Sequence, residues 1–570
     1  MPQPVVPRAE LKIVDVNVFR SPRCFSGYPA DRLIPGPAMR CRLLLASLTT
    51  LWVASLLSPE LASAGHIFSS VAHMNDLVSL ERRLVYKVGD FLHRMETKLG
   101  YLRSFLNEYY QTTASQDLQL THSPDVDYES RTASPIDAYT TIKRLSVDWN
   151  EIVHQFREPD WIEIERLMLE SNDTFPRQSD LLDAGEALIR IQKTYRLNLT
   201  DMARGVIMGH KATAHLTARD CLYFGQLLYS KSDFEHATKW FEEALTRLSL
   251  EKHPSITPRT VHAYLASSLE QLEEQQRLQE EQRYSTEGYR EVRQRAVPSA
   301  SVPYAEGYLE AYNNLCRGDK VRNATEEKDL RCYLSVPHPY FRIGPVKMEV
   351  MSRDPYIVQF YDVIWPKEIR ALRSIGDPIL ARATVRETGQ NLVSHGRISQ
   401  VAWISPDSDP LLARVNERVS MLTGLSTDYD KGDSEIFQYN SYGPGGHYEP
   451  HHDYLFEGLT EQQKEEMDET DKESGDRIAT FMFYLSDVSL GGSTVFPYAK
   501  AAVSPRMGSA AFWYNMREDG SYDVRTLHGA CSVLHGTKHV ANLWIRTNGQ
   551  IFTRRCPATQ RRRTLDSALL

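Results

Sequence analysis

The sequence predicts an α+β multidomain protein: a helical N-terminal half followed by a sandwich or barrel of short strands. Three observations point there. Apolar residues recur at helical spacing between about residues 66 and 285. Beyond residue 345 the pattern changes to short β-type runs separated by glycine and proline turns. At 570 residues the chain is also too long for a single hydrophobic core, so about three domains are expected. A composition of 41% hydrophobic and 25% charged residues is that of a soluble globular protein. The net charge of −8 argues against nucleic acid as a partner, and solubility is its plainest meaning.

Residues 1–38 are proline-rich and irregular, and carry no functional weight. The run Leu43 to Leu57 is apolar, follows Arg40 and Arg42, and is short for a membrane span. It leads to Ala62-Ser63-Ala64, an A-x-A pattern. Residues 39–64 therefore read as a secretory signal peptide starting at Met39, with a signal anchor as the alternative. No other membrane span is expected.

Cysteine use agrees with a secretory route. Cys24 and Cys41 precede the inferred cleavage site. Cys316 and Cys332 lie 16 residues apart and Cys531 and Cys556 lie 25 apart, while Cys221 stands alone in an apolar helical pattern. Two disulfides and one buried thiol suit an oxidising lumen. No C-x-x-C pair exists, which argues against zinc. Asn172, Asn198 and Asn323 head N-x-T sequons and are candidate glycosylation sites.

Residues 65–170 form the first helical domain. Met74, Leu77, Leu84, Val88, Phe91, Met95, Leu99, Leu102 and Leu106 recur mostly at spacings of three and four with charges between them. Such a seam is either a coiled coil that makes a dimer contact or a long helix packed inside its own domain. A polar stretch with Pro124 and Pro135 follows, then helix through Trp149 and Phe156.

Residues 178–285 read as antiparallel helix pairs. Phe224-Gly225, Leu228, Ala237, Phe241 and Ala244 occupy the small and large positions of one tetratricopeptide repeat. Small residues let two helices approach, and large ones fill the space between turns. Tyr195, Tyr223, Tyr229, Trp240 and Tyr264 make the module aromatic. They are either core filler or the lining of a concave surface for a proline-rich, polyproline II ligand. The charged run from Glu270 to Arg283 is a solvated helix end. Residues 286–345 are a proline-punctuated linker, 346–556 the strand-rich domain and 557–570 a tail.

The strand-rich domain holds the chemistry. In a strand, residues i and i+2 share a face, so His451 and Asp453 point one way and His452 the other. With His528 from a later strand they make two imidazoles and one carboxylate, a set that suits a divalent iron whose remaining positions stay open. Lys538, ten residues past His528, is placed to anchor the far carboxylate of an organic co-substrate. The acidic stretch Glu457 to Asp476 is either a lid or a solvated loop. Trp403 and Trp544 lie in predicted strands, as core residues or at the border of a peptide groove.

The flanking segments Tyr442-Gly-Pro-Gly-Gly-His-Tyr-Glu-Pro-His451, Arg477-Ile-Ala-Thr-Phe-Met-Phe-Tyr-Leu-Ser-Asp487, Gly491-Gly-Ser-Thr-Val-Phe-Pro497, Phe512-Trp-Tyr-Asn515 and His528-Gly-Ala-Cys-Ser-Val-Leu534 resemble the catalytic domain of the collagen prolyl 4-hydroxylase α-subunit. The likeness runs from about His66 to Pro557 and includes the cysteine pairs and the single repeat. His452 stands where that family carries an aromatic residue.

The resemblance implies a double-stranded β-helix (jelly roll) that uses Fe(II), 2-oxoglutarate and O2, with L-ascorbate to rescue oxidised iron. It implies that His451, Asp453 and His528 hold iron, and that Lys538 pairs with the C5 carboxylate of 2-oxoglutarate, helped by Tyr442 and Thr480 as donors. The implied reaction converts peptidyl proline to trans-4-hydroxyproline and 2-oxoglutarate to succinate. The implied setting is the endoplasmic reticulum lumen, in an α2β2 assembly whose β-subunit is protein disulfide isomerase, with procollagen as substrate. The chain ends Ser567-Ala-Leu-Leu570 without a K-D-E-L signal, so retention would depend on the partner. Two alternatives stay open: a hydroxylase of another secreted proline-containing protein, and a catalytically silent peptide-binding subunit.

Overall fold

The computed structural model describes residues 70–94, 99–112, 134–155, 166, 175–287, 307–387, 390–392, 396–465 and 467–554. The N-terminal extension, the signal peptide, Asn172, Cys24, Cys41, Cys556 and the tail lie outside these residues.

Helices α1 (Val71–Arg94) and α2 (Leu99–Thr112) lead to α3 (Pro135–Lys143), which runs through a π-helical turn into α4 (Trp149–Gln155). Met74, Leu77, Leu84 and Val88 are buried in one core with Leu102, Ile136, Tyr139 and Trp149. That part of the seam is covered from within the chain, while the side chains of Phe91, Met95 and Leu99 lie outside the described residues. A buried Arg144–Glu81 ion pair ties the π-helical turn to α1.

Helix α5 (Gln178–Tyr195) follows, then α6 (Ala218–Ser230), α7 (Phe234–Leu248) and α8 (Pro258–Glu287). Thr217 and Asp220 form a reciprocal cap on α6, and Asp233 caps α7. Gly225 is a real close approach: a β-carbon there would run into the Phe241 ring. This is the small-against-large packing expected of the repeat. Trp240 is fully buried in the core, and Cys221 is a buried free thiol.

Helix α9 (Tyr308–Arg317) precedes fourteen strands that matter for the site. These are β1 (Cys332–Ser335), β2 (Val346–Ser352), β3 (Ile357–Tyr361), β4 (Ala381–Arg382), β5 (Arg397–Ile398), β6 (Gln400–Ile404) and β7 (Phe437–Tyr442). They continue as β8 (His447–His451), β9 (Arg477–Tyr484), β10 (Thr494–Phe496), β11 (Ala501–Val503), β12 (Ala510–Tyr514), β13 (His528–Ala530) and β14 (Lys538–Arg546). Two further helices are α10 (Pro366–Gly376) and α11 (Pro410–Thr423).

The strands form a nine-stranded sheet in the order β1-β2-β3-β12-β9-β14-β7-β6-β4 and a five-stranded sheet in the order β11-β10-β13-β8-β5. All pairings among them are antiparallel. Alternation along the major strands sorts their side chains. Phe481 and Phe483 of β9, Leu543 of β14 and Phe437 of β7 share a core with Leu372 of α10 and Val415 of α11. On the other face Met482, Val540, Tyr442 and Trp513 share a core with Phe496 and Val533 of the minor-sheet side. That inner face also carries polar residues at strand positions (Gln438, Asn440, Thr480, Lys538), all buried. Buried polar groups on the inner face of a jelly roll mark a working lumen rather than a filled core.

The helical half packs on the minor-sheet side, since Val495, Cys531 and Leu534 join the core that holds α3, α5, α6 and α7.

Candidate active site

His451 ends β8, opposite His528 at the start of β13, so register alone sets the two imidazoles side by side. Their rings are 4.5 Å apart, and Asp453 follows two residues later. Candidate ligand atoms of His451, Asp453 and His528 all lie within 4.8 Å of one another. Asp453 Oδ1 is 3.7 Å from His451 Nε2, and its Oδ2 is 3.6 Å from His528 Nε2. A bulge between Tyr448 and His451 turns the strand end into the lumen. His452 faces away, with Nε2 3.1 Å from Val524 O and its ring stacked on Tyr454.

Each triad imidazole has its outer nitrogen occupied. His451 Nδ1 is 2.8 Å from Glu449 O, and His528 Nδ1 is 2.9 Å from Thr526 O. A carbonyl only accepts, so each Nδ1 carries a proton, and Nε2 is the nitrogen turned toward the triad. Metal-ligating histidines commonly have their other ring nitrogen held by a carbonyl in this way, which fixes the ring. Burial, then the neighbouring His528, hold His451 below the usual imidazole range, so it stays neutral. Burial pushes the Asp453 carboxyl up, but His528, His451, Arg477 and the Thr480 hydroxyl outweigh it and hold the group below the usual carboxylate range. A neutral His451 and an ionised Asp453 are the forms in which these groups can ligate a divalent metal. The donor set fits such an ion.

The triad opens into a cavity of about 610 Å³. At its inner end stands Lys538, fully buried, with Nζ donating to Thr494 Oγ at 3.1 Å. Tyr484 also donates to Thr494 Oγ, at 3.0 Å. The ammonium lies 5.5 and 5.6 Å from the Tyr442 and Tyr484 ring centroids. Burial pushes Lys538 down to about 7. No carboxylate is paired with it by any described residue, so the ammonium sits ready for an anion that enters the cavity.

Thr480 does not share that end. Its hydroxyl donates to Asp453 Oδ2 at 2.7 Å and accepts from Asn515 Nδ2 at 3.0 Å. The expected grouping of Thr480 with Lys538 is not what the structure shows: Thr494 is the hydroxyl bonded to Lys538, and Thr480 bonds the Asp453 carboxylate. Thr494 was present in the Gly-Gly-Ser-Thr-Val-Phe-Pro segment, but nothing in spacing tied it to a lysine on another strand.

Aromatic residues wall the triad. Trp513 and Phe496 lie 4.7 and 5.4 Å from the His528 ring, and Tyr448 stacks on His451 at 3.5 Å. Toward the mouth, Trp544 is buried and Trp403 is 45% exposed, with ring centroids 6.1 Å apart. Both line the cavity. Arg477 lies 3.5 Å over Trp544, pairs through two nitrogens with Glu435 at 2.6 and 2.8 Å, and donates to Asp453 O at 3.3 Å.

The acidic stretch is folded rather than wholly solvated, with helical turns at Glu461–Glu465 and Glu469–Ser474. Asp471 pairs with buried Arg546 at 2.5 Å, and Asp476 accepts from Leu455 and Phe456 N–H and from the Tyr522 hydroxyl. The end nearest β9 is therefore pinned at the cavity rim, and the part before it is largely exposed.

Other predicted residues lie elsewhere. Tyr195 is buried and donates to Ser532 O at 2.8 Å, so it is an interdomain contact and not part of a peptide groove. Tyr223, Tyr229 and Tyr264 are half-buried on α6 and α8. The Tyr229 hydroxyl bonds Ser267 Oγ at 2.8 Å, and Tyr264 stacks on Phe241. Asn198 and Asn323 are exposed, each capping a short helix.

The cysteine pairing is also corrected. Cys316 is bonded to Cys531, Cα atoms 5.6 Å apart, while Cys332 is free and exposed on β1. The cause is the docking of α9 on the minor sheet, where Tyr312 donates to Ala530 O at 3.1 Å and sets Cys316 beside Cys531. Cys332 lies on the opposite, edge-strand side of the domain's major sheet.

Three family descriptions match the chain: "Prolyl 4-Hydroxylase alpha-subunit, N-terminal region" at residues 70–209, "Prolyl 4-hydroxylase peptide-substrate-binding domain" at 218–286, and "2OG-Fe(II) oxygenase superfamily" at 437–546. Prolyl 4-hydroxylase subunit alpha-2 of Gallus gallus is 33% identical over 529 residues, 86% of this chain and 95% of the relative. Prolyl 4-hydroxylase subunit alpha-2 of Caenorhabditis elegans is 33% identical over 536 residues, 88% of this chain and 96% of the relative. A solved structure, the viral collagen prolyl hydroxylase of Paramecium Bursaria Chlorella virus-1, is 21% identical with a TM-score of 0.26, covering 34% of this chain and 96% of that one. That last likeness is too slight to carry weight.

Proposed function

Since the chain belongs to the prolyl 4-hydroxylase α-subunit family, we propose that it is a procollagen-type prolyl 4-hydroxylase, converting peptidyl proline to trans-4-hydroxyproline. The observation that carries this reading is the complete His451–Asp453–His528 triad opening into the same cavity as buried Lys538, which pairs with no carboxylate among the described residues. In this reading the triad holds Fe(II), which supplies the oxidative chemistry by which O2, 2-oxoglutarate and proline become succinate, carbon dioxide and hydroxyproline.

The chain's own groups do the rest. Lys538 and Thr494 receive the C5 carboxylate of 2-oxoglutarate, and Tyr442 forms the adjacent wall. Trp513, Phe496 and Tyr448 keep water from the imidazoles. Glu449 O and Thr526 O accept from the two Nδ1–H groups, so the Nε2 atoms are the ones that would hold the metal. Trp403 and Trp544 at the mouth, with Tyr223, Tyr229 and Tyr264 on the helical module, form the surfaces that would meet an extended proline-rich peptide. L-Ascorbate would return oxidised iron to Fe(II).

The assembly belongs to the same proposal. The relatives are named as α subunits, which supports pairing with a β-subunit of the protein disulfide isomerase class in an α2β2 tetramer, with residues 65–170 as the dimerisation region. A disulfide in the mature region supports residence in the oxidising lumen of the endoplasmic reticulum.

The test is co-expression with a disulfide isomerase and assay with Fe(II), 2-oxoglutarate and (Pro-Pro-Gly)n. Succinate and hydroxyproline should form in equal amounts, and His528→Ala should abolish both while leaving the subunits associated. Turnover only on a different proline-rich peptide would move the substrate away from collagen. No turnover on any would leave a silent binding subunit.

A further inference from the structure

We propose that Asn515 is a positioning residue for the metal carboxylate, acting through Thr480 to fix which oxygen of Asp453 is offered to the ion. This rests on reading the triad as a metal site.

Asn515 directly follows β12 and is 1% exposed, as is Thr480 on the inner face of β9. Register brings the strands together, with Ala479 opposite Tyr514. Asn515 is fixed at both backbone ends: its N–H donates to Ile478 O at 2.8 Å, and its carbonyl accepts from Asp523 N–H at 3.0 Å. Its side chain has a single described partner, Thr480 Oγ, to which Nδ2 donates at 3.0 Å. Thr480 then donates to Asp453 Oδ2 at 2.7 Å.

A threonine hydroxyl has one proton. Because it accepts from the Asn515 amide, that proton must point at Asp453. With the amide turned over, Oδ1 would compete for the same proton, and Asp453 Oδ2 would face only lone pairs; the network therefore selects the donor orientation. Oδ2 then has one lone pair committed to Thr480, leaving Oδ1, on the His451 side, as the freer oxygen.

The arrangement has a cost. Asn515 Oδ1 is buried without a hydrogen-bond partner, and an unsatisfied buried acceptor is unfavourable. An apolar side chain of similar size would avoid that penalty, so packing alone does not account for an asparagine. Delivery of a donor to Thr480 does.

The test uses the full-length chain, stripped of metal and titrated with Co(II), whose d–d absorption reports both affinity and ligand geometry. Asp453→Ala defines binding at the triad. Asn515→Asp, nearly isosteric but an acceptor where the donor was, should weaken Co(II) binding by about 10- to 100-fold and shift the d–d bands. Thr480→Val should do the same, Thr480→Ser should restore wild-type affinity and bands, and the Asn515→Asp/Thr480→Val double variant should be no weaker than Thr480→Val alone. Should Asn515→Asp fail to fold, Asn515→Leu, similar in size and without the amide donor, carries the test with the same expected loss of affinity and band shift, and wild-type behaviour there would equally overturn the proposal. Wild-type affinity and unshifted bands in folded Asn515→Asp, or equal behaviour of Thr480→Val and Thr480→Ser, would overturn the proposal. Absence of any Asp453-dependent Co(II) binding in the wild type would overturn the metal reading itself, and this proposal with it.

Discussion

Lys538 shows how a single buried side chain sets a pH dependence. Burial pushes its ammonium down to about 7, and the Thr494 hydroxyl with two tyrosine rings does not replace a counter-charge. A dicarboxylate binds the protonated form, so below pH 7 the cation is already present and affinity for 2-oxoglutarate should be flat. Above pH 7 a proton must be taken up with the ligand, and affinity should fall by about tenfold per unit until the pKa of the bound state is passed. Calorimetry at pH 8 in buffers of different ionisation enthalpy should show uptake approaching one proton per 2-oxoglutarate; an affinity constant from pH 6 to 9 would contradict this. At this scale the sequence was informative where spacing is local. His451, Asp453 and the parity of His452 follow from two-residue alternation. Thr494 and Asn515 were unreadable, because each acts on a partner across a strand pairing that no local pattern encodes.

Among the elements, the α6–α7 pair was the most legible, since a glycine facing a phenylalanine is a packing statement that survives in one dimension. Gly225→Ala would force the Phe241 ring from its place, and overpacking of this kind costs about 1–3 kcal/mol. The variant should unfold at lower temperature by circular dichroism while its Co(II) affinity stays that of the wild type; unchanged thermal stability would mean the helices do not approach as described. The same elements also misled. An aromatic on an amphipathic helix reads alike whether it faces a ligand or a neighbouring domain, and only the fold places Tyr195 on Ser532 rather than in the groove. The α1 seam was ambiguous for a related reason: heptad-like spacing records that a face is covered, not that a second chain covers it.

For the whole molecule, the features absent from the sequence are those that join its halves. Cysteines 16 and 25 residues apart suggested two pairings, Cys316 with Cys332 and Cys531 with Cys556, yet the bonded Cys316 and Cys531 are 215 residues apart in sequence. In the chain-entropy account a loop of that size stabilises on the order of 5 kcal/mol. Cys316→Ser should therefore lower the melting temperature, and a reductant should lower that of the wild type but not of the variant. Peptide mapping that found Cys316 joined to Cys332 would refute the pairing. The join is concentrated at one place. Tyr312 holds Ala530 O, Cys316 holds Cys531 and Tyr195 holds Ser532 O, three consecutive residues just past His528. While these three contacts hold, the helical half is tied to the strand that follows His528, and the tyrosines of α6 and α8 keep the separation from the triad that the structure shows. An extended polyproline II ligand advances about 3.1 Å per residue, so a fixed separation acts as a ruler. A peptide held on the module would present its prolines to the triad at a set number of residues from the point where it is held, and the pattern of hydroxylation along a long substrate would carry that interval.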